Sequence, residues 1–180
     1  MRITNEDTVG LIIDIQERLF QVMNEKENLL RNCRILIQGL NELYIPLVVT
    51  QQYTKGLGET IPEISSVVPN FKYFEKSEFS CYDVADFRWY LDDHETKNII
   101  ICGIESHVCV LQTAVDLKEA GFNPIVVMDC VSSRTNENTE IAKERFRAEG
   151  IVMTSYESVL FELIRKAGTS EFKAISKLVK

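Results

Sequence analysis

Long apolar runs, an excess of positive charge, internal repeats and flexible linkers are all missing from this 180-residue chain, and each absence removes a class of protein. The N-terminal Met1-Arg-Ile-Thr-Asn-Glu-Asp-Thr8 is polar and acidic. The apolar run that follows, Val9 to Ile13, is too short for the core of a signal sequence or for a membrane span, so a cytoplasmic protein with no membrane partner is expected. Twenty Lys plus Arg against 27 Asp plus Glu leave a net charge of −7, which repels phosphate backbones and anionic lipid. Nucleic acid is not an expected partner. No low-complexity tract or Pro/Gly/Ser-rich linker divides the chain, and its length suits one core. One domain over 1–180 follows. There is no C-x-x-C pair among the five cysteines, Cys33, Cys81, Cys102, Cys109 and Cys130. Their odd number and the size of the chain argue against a disulfide framework and for a reducing compartment, so each thiol needs an explanation in packing or chemistry.

What is present is an alternation of short apolar runs with longer amphipathic stretches. Apolar residues make up 45% and charged residues 26% of the chain, an ordinary globular composition that excludes disorder as a global description. The runs Val9–Asp14, Ile45–Thr50, Asn98–Cys102 and Pro124–Asp129 are apolar and β-branched on both parities, as strands covered on both faces must be. Ile151–Thr154 is a weaker fifth run. Helical periodicity covers Leu29–Leu43, Val84–Leu91, Cys109–Ala120, Thr139–Ala148 and Val159–Ile164, with Gly121 and Gly150 as C-terminal caps. The one long irregular stretch is Gln52 to Lys72, where Tyr53-Thr-Lys-Gly-Leu-Gly58 reads as a substrate lid or an oligomer contact. This βα spacing predicts a doubly wound, mostly parallel sheet with helices on both faces.

In such sheets ligands bind outside the carboxyl ends of the strands, where strand order reverses. Three chemistry-bearing residues close elements there. Asp14 ends the first run, Lys76 ends a short strand in Tyr73-Phe-Glu-Lys-Ser77, and Cys109 begins a helix after Cys102-Gly103. A carboxylate at a strand end can simply cap a turn, and a cysteine at a helix start can simply pack. Together they form a more specific pattern, because a helix N-terminus and a neighbouring cation both lower a thiol pKa. On that reasoning Cys109 is expected to ionise more easily than the other four cysteines. A Cys109–His107 dyad would need irregular backbone, since residues two apart on a helix do not face each other. His94, in Asp92-Asp-His-Glu-Thr96, reads as a surface residue at a helix end.

These residues resemble the isochorismatase-like cysteine hydrolase superfamily over nearly the whole chain. The likeness is carried by Ile-Ile-Asp14-Ile-Gln16, by Phe74-Glu-Lys-Ser-Glu-Phe79, and by Gly103-Ile-Glu-Ser-His-Val-Cys109-Val. It is greatest with the isochorismatase domain-containing subgroup, through Gly103–Ala114, Tyr53–Glu63 and Glu171–Lys180. Spacing and resemblance together give an α/β fold, a three-layer α/β/α sandwich on a six-stranded sheet in the order 3-2-1-4-5-6. The resemblance implies that Asp14 accepts the thiol proton, Lys76 stabilises the thiolate and Cys109 attacks an electrophilic carbon. It also implies a cis peptide at Ile104–Glu105 and an oxyanion hole from the backbone N–H groups of Glu105 and Cys109. Gln16, Leu19 and Tyr53 are expected to line the substrate pocket.

Nicotinamidases of the superfamily carry an Asp-x-His pattern after the second strand to hold a metal. Thr50-Gln51-Gln52-Tyr53 stands there instead, and two distant histidines cannot form a metal cluster. No metal and no other cofactor are expected. The function implied is a metal-independent cysteine hydrolase of a small amide, imide or related carbonyl compound, acting through a covalent acyl intermediate. The alternative is a catalytically silent interaction protein that keeps the fold. A homo-oligomer is implied by the resemblance, and the dense aromatics from Phe71 to Tyr90 read as core packing, pocket wall or subunit contact. Cys33 and Cys102 read as packing residues, whereas Cys81 and Cys130 could each approach the pocket.

Overall fold

Strands apolar on both parities stack side by side only where both sheet faces are covered, and that is the arrangement found. The computed structural model describes residues 2–180. Its strands are β1 (Thr8–Ile13), β2 (Leu47–Gln52), β3 (Phe74–Lys76), β4 (Asn98–Ile104), β5 (Asn123–Ser132) and β6 (Val152–Thr154). They form one sheet in the order β3-β2-β1-β4-β5-β6. Every neighbouring pair is parallel, so the sheet is wholly rather than mostly parallel.

The longer helices are α1 (Lys26–Glu42), α2 (Ala85–Asp93), α3 (Leu111–Glu119), α4 (Asn136–Ala148), α5 (Tyr156–Ile164) and α6 (Ser170–Leu178). Alternation along β4 shows how they sort. Ile100, Cys102 and Ile104 point into a core shared with Leu29, Cys33, Leu36, Ile37 and Leu40 of α1, with α5, and with Ile175 of α6. Ile99 and Ile101 point the other way, to Phe87 and Leu91 of α2, Ala114 and Leu117 of α3, and Ala142 and Phe146 of α4. Each fully buried Ile or Leu in these cores contributes about 1.5–3 kcal/mol.

Two helices start upstream of their apolar periodicity because their caps, not the core contacts, set the first turn. Thr135 accepts from the Asn138 N–H and starts α4 at Asn136, three residues before the expected Thr139. Ser155 accepts from the Ser158 N–H and starts α5 at Tyr156 rather than Val159. Gly121 and Gly150 hold the left-handed conformations (φ 92° and 63°) expected of C-terminal caps. Helix α6, capped by Thr169 through the Phe172 N–H, was not anticipated as a helix.

The stretch from Gln52 to Lys72 is less irregular than expected. It holds helical turns at Thr54–Leu57 and Pro62–Ser65, and it is tied to the sheet end by Glu17 N–H to Glu59 O and Ile61 N–H to Ile15 O, both 3.0 Å. Glutamine side chains complete the tether. Gln51 Oε1 accepts from the Thr60 N–H (2.7 Å) and the Thr60 hydroxyl (2.9 Å).

Candidate active site

The carboxyl ends of β1 to β4 meet at the strand-order reversal, and the register decides which side chains meet there. Ile13 lies opposite both Thr50 of β2 and Gly103 of β4, and Gln52 lies opposite Lys76. Gly103 has φ 128°, and a Cβ on it would stand 2.1 Å from the Ile13 carbonyl oxygen. Only glycine permits this approach. Immediately beyond it the chain turns through Asp14 at φ 51°, a left-handed conformation that aspartate tolerates better than most residues.

Asp14 is fully buried. Its Oδ2 pairs with Lys76 Nζ at 2.6 Å, and its Oδ1 accepts from the Thr50 hydroxyl at 2.8 Å. Cys109 lies close enough to this carboxylate for its charge to act on the thiol. Lys76 is buried with it, and its ammonium donates to Gln52 Oε1 (2.6 Å) and to the carbonyls of Glu78 and Phe79 (3.2 Å each). Burial pulls the Lys76 pKa down, but the charges of Asp14, Cys81 and Cys109 more than offset it, and the net direction is up. Burial pushes Asp14 up, and its contacts with Lys76, Thr50 and Cys109 only partly oppose this.

Cys109 departs from expectation. Burial first, and then the Asp14 charge, push its thiol up to about 12, outweighing Lys76. A helix start and an ammonium lower a thiol pKa, but the loss of water and the nearby Asp14 charge dominate here and favour the protonated thiol over the thiolate. Cys109 nonetheless keeps more exposure than the other cysteines, 5% against 2% or less.

The backbone leading into Cys109 is not the regular helix expected. Ser106–Val110 is a π-helical turn in which the Val110 N–H donates to Glu105 O at 3.2 Å, and the Val108 N–H donates to the same oxygen at 3.1 Å. The Ile104–Glu105 peptide is cis. The Glu105 side chain, nearly buried, takes a two-pronged ion pair from Arg134 (2.9 and 3.0 Å). Although this backbone is irregular, His107 does not serve Cys109. Its Nδ1 lies 2.8 Å from Ser133 Oγ. His94 is at the surface, stacked on Tyr90 at the end of α2.

Gln16 is corrected from pocket wall to brace. Its side chain is fully buried, donating to Gln52 O (3.0 Å) and Gly58 O (2.7 Å) and accepting from the Gln52 N–H (2.7 Å), which leaves it no open face. Leu19 packs partly buried against the α1-side core. Tyr53 is 56% exposed, and its N–H donates to Lys76 O at 2.9 Å. Of the two ambiguous cysteines, Cys81 approaches the site, its Sγ donating to Thr50 Oγ1 at 3.7 Å. Cys130 does not. It lies in the opposite core, where its carbonyl accepts from Cys33 Sγ at 3.3 Å. The aromatic stretch divides: Phe74 packs edge-on against Phe87 and Tyr90, while Phe79 and Trp89 are exposed. Among the described residues no group of three or more His, Cys, Asp or Glu could hold a metal ion, and no helix is long and apolar enough to cross a membrane.

Thr50, Gln52 and the Glu105–Arg134 pair were not singled out from the sequence as parts of this site. The signal for the first two was available, since Thr50-Gln-Gln52 is a polar end to an apolar strand.

A three-layer sheet in the order 3-2-1-4-5-6, with a buried Asp–Lys pair at its strand-order reversal, defines an isochorismatase-like α/β fold. The isochorismatase domain model matches residues 8–158, and the chain belongs to the isochorismatase family. It is 38% identical to the secreted isochorismatase effector Isc1 of Phytophthora sojae, over 99% of this chain and 87% of that one. It is 33% identical to isochorismatase domain-containing protein 2 of Danio rerio, over 99% and 89%. Among solved structures, the protein named MAR1 ribonuclease from Caenorhabditis elegans superposes with a TM-score of 0.94 at 33% identity, covering 99% of this chain and 92% of that one.

Proposed function

We propose that the chain is a metal-independent hydrolase of small amides, imides or related carbonyl compounds, with Cys109 as nucleophile, Asp14 as base and Lys76 as fixed cation. One observation carries this reading: a fully buried Asp14, ion-paired to Lys76 at 2.6 Å and held by Thr50 at 2.8 Å, at the sheet edge where Cys109 enters its helix, with burial and the Asp14 charge keeping the thiol protonated. Such a thiol becomes a nucleophile only as its proton leaves for Asp14. Sulfur then bonds to the carbonyl carbon, and the oxyanion is received by the N–H groups of Glu105 and Cys109. When the C–N bond breaks, the proton on Asp14 passes to the leaving nitrogen. Water next attacks the thioester, giving a proton to Asp14, and the acid departs as Cys109 regains its hydrogen. Lys76 keeps the Asp14 carboxylate compatible with burial in each resting state. Gln52, occupying Lys76 with its carbonyl, offers no free ligand to a metal. Tyr53 and Leu19 are our candidates for the pocket wall.

The ribonuclease activity in the name of the C. elegans relative does not suit this chain, whose net charge of −7 opposes RNA. The test is turnover of an amide and imide panel by the wild type, Cys109→Ala and Asp14→Asn. Asparagine is chosen because it also tolerates the left-handed backbone at position 14. Both variants should fold and lose at least about a thousandfold in kcat. Retained turnover in Cys109→Ala overturns the nucleophile assignment, and absence of turnover with equal alkylation of all five cysteines points to a silent fold.

A further inference from the structure

We infer that Thr50 is a positioning residue of this site and that Cys81 works behind it, the two forming a one-way donor chain that fixes the Asp14 carboxylate for proton transfer from Cys109. The inference rests on the reading of Asp14 as the base. Cys81 Sγ donates to Thr50 Oγ1 at 3.7 Å, and Thr50 Oγ1 donates to Asp14 Oδ1 at 2.8 Å. All three residues are fully buried, so no water competes for these bonds.

A hydroxyl has one proton and can turn it in several directions. With the Cys81 S–H occupying one lone pair of Thr50, the proton of Thr50 is directed to Asp14. Cys81 is in turn held by its own N–H, which donates to Thr113 Oγ1 of α3 at 2.9 Å. The carboxylate is thereby gripped from two sides, by Lys76 on Oδ2 and Thr50 on Oδ1. Its plane is set, and the remaining lone-pair directions are left to the Cys109 thiol. The groups facing Asp14 are thus Lys76 from β3, Thr50 from β2 and Cys109 from the π-helical turn, with Cys81 one bond further out.

The chain also tunes the base. A hydroxyl donating to a carboxylate favours the charged form, and this opposes the burial that favours the neutral form. Removing the donor must raise the pH at which Asp14 becomes able to accept a proton. The consequence differs from that of a packing residue, which would change stability and leave the pH profile alone.

The test uses iodoacetamide as probe, because its reaction forms the S–C bond, breaks C–I and releases iodide while the thiol proton goes to Asp14, without needing a known substrate. Rates at Cys109 are read by peptide mass spectrometry across pH 4–9 for the wild type, Thr50→Val, Thr50→Ser, Cys81→Ala and Asp14→Asn. In the wild type the rate should rise through an acid limb and level off once Asp14 is ionised. Thr50→Val should move that limb up by about one pH unit, the loss expected for one hydrogen bond to a charged group. Thr50→Ser should restore it, and Cys81→Ala should move it less, in the same direction. If Asp14→Asn abolishes the limb while Thr50→Val leaves it unmoved in a folded protein, the role given to Thr50 is wrong. Should Asp14→Asn keep the wild-type profile, the reading of Asp14 as base fails instead. Should Thr50→Val not fold, an unmoved limb in Cys81→Ala together with a wild-type rate in that variant overturns the chain.

Discussion

Lys76 has four acceptors around an ammonium with three protons: Asp14 Oδ2, Gln52 Oε1 and the carbonyls of Glu78 and Phe79. Replacing it with methionine keeps an unbranched side chain one atom shorter and leaves Asp14 buried without a counter-charge. Breaking one side of a buried pair costs about 3–5 kcal/mol, and Asp14 responds by holding its proton to higher pH. A carboxyl raised in the folded state leaves the variant relatively stable below the unfolded value of 3.8, and stability is lost as pH rises above it. Lys76→Met should therefore be far less stable than the wild type at pH 7.5 and closer to it at pH 4.5 by urea unfolding, with Lys76→Met/Asp14→Asn recovering part of the loss. An equal deficit at both pH values would contradict an ionised pair. This residue scale is also where the sequence was most and least legible. Asp14, Lys76 and Cys109 could be picked out because each closes or opens an element at the ligand-binding edge. Thr50 and Gln52 were visible only as a polar end to an apolar strand, because their partners are set by parallel register with Ile13 and Lys76, which local pattern does not encode. The thiol of Cys109 was expected to shift down because a helix start and a lysine are visible in sequence, whereas burial and the approach of Asp14 are not.

Among the elements, β1 and β4 pair along their length, and Gly103 is a position where their backbones leave no room for a side chain. A Cβ there meets the Ile13 carbonyl oxygen at 2.1 Å and the Ile13 nitrogen at 2.6 Å, both backbone atoms that cannot rotate away, and φ 128° is itself disfavoured for any other residue. Gly103→Ala should cost at least about 3 kcal/mol through strain and strand separation. Because Asp14 follows Ile13 directly, the same change should lower iodoacetamide labelling of Cys109 more than Gly121→Ala does, Gly121 having open space around its Cβ position and no link to the site. Thermal unfolding and labelling rates of the two variants, measured side by side, check this, and similar labelling in both would mean that the β1–β4 contact does not set Asp14. The elements themselves were largely readable, since two-sided apolar runs became strands and 3.6-residue stripes became helices. Misreadings have local causes. Thr135 and Ser155 begin helices before their apolar stripes start, α6 buries only Ile175 fully, and the π-helical turn at Ser106–Val110 carries no distinct apolar period.

Across the whole molecule, five thiols are free and buried, and all are shifted in one direction. Burial leads in raising Cys81 and Cys130 to about 11 and Cys109 to about 12. Cys33 and Cys102 are raised well above 9.0 where the three thiols of the α1-side core meet. In the unfolded chain each thiol ionises near 9.0, so between that pH and about 11 the folded state holds protons that the unfolded state has released. A group raised in this way contributes its full stability below the unfolded value and loses it as pH climbs toward the folded one. Once the unfolded thiol is ionised, each raised thiol adds to the loss with every further rise in pH. A fold stable by only about 5–15 kcal/mol is sensitive to such a loss. Urea midpoints under reducing conditions should accordingly change little from pH 7 to 8 and fall progressively above 9. Cys33→Ala separates this effect from the titration of lysines and tyrosines. It should lower the midpoint at pH 7 through the cavity it leaves, yet make the alkaline fall shallower, since one raised thiol and its effect on Cys102 are gone. An alkaline slope unchanged by that substitution would mean that the buried thiols are not what limits the fold at high pH.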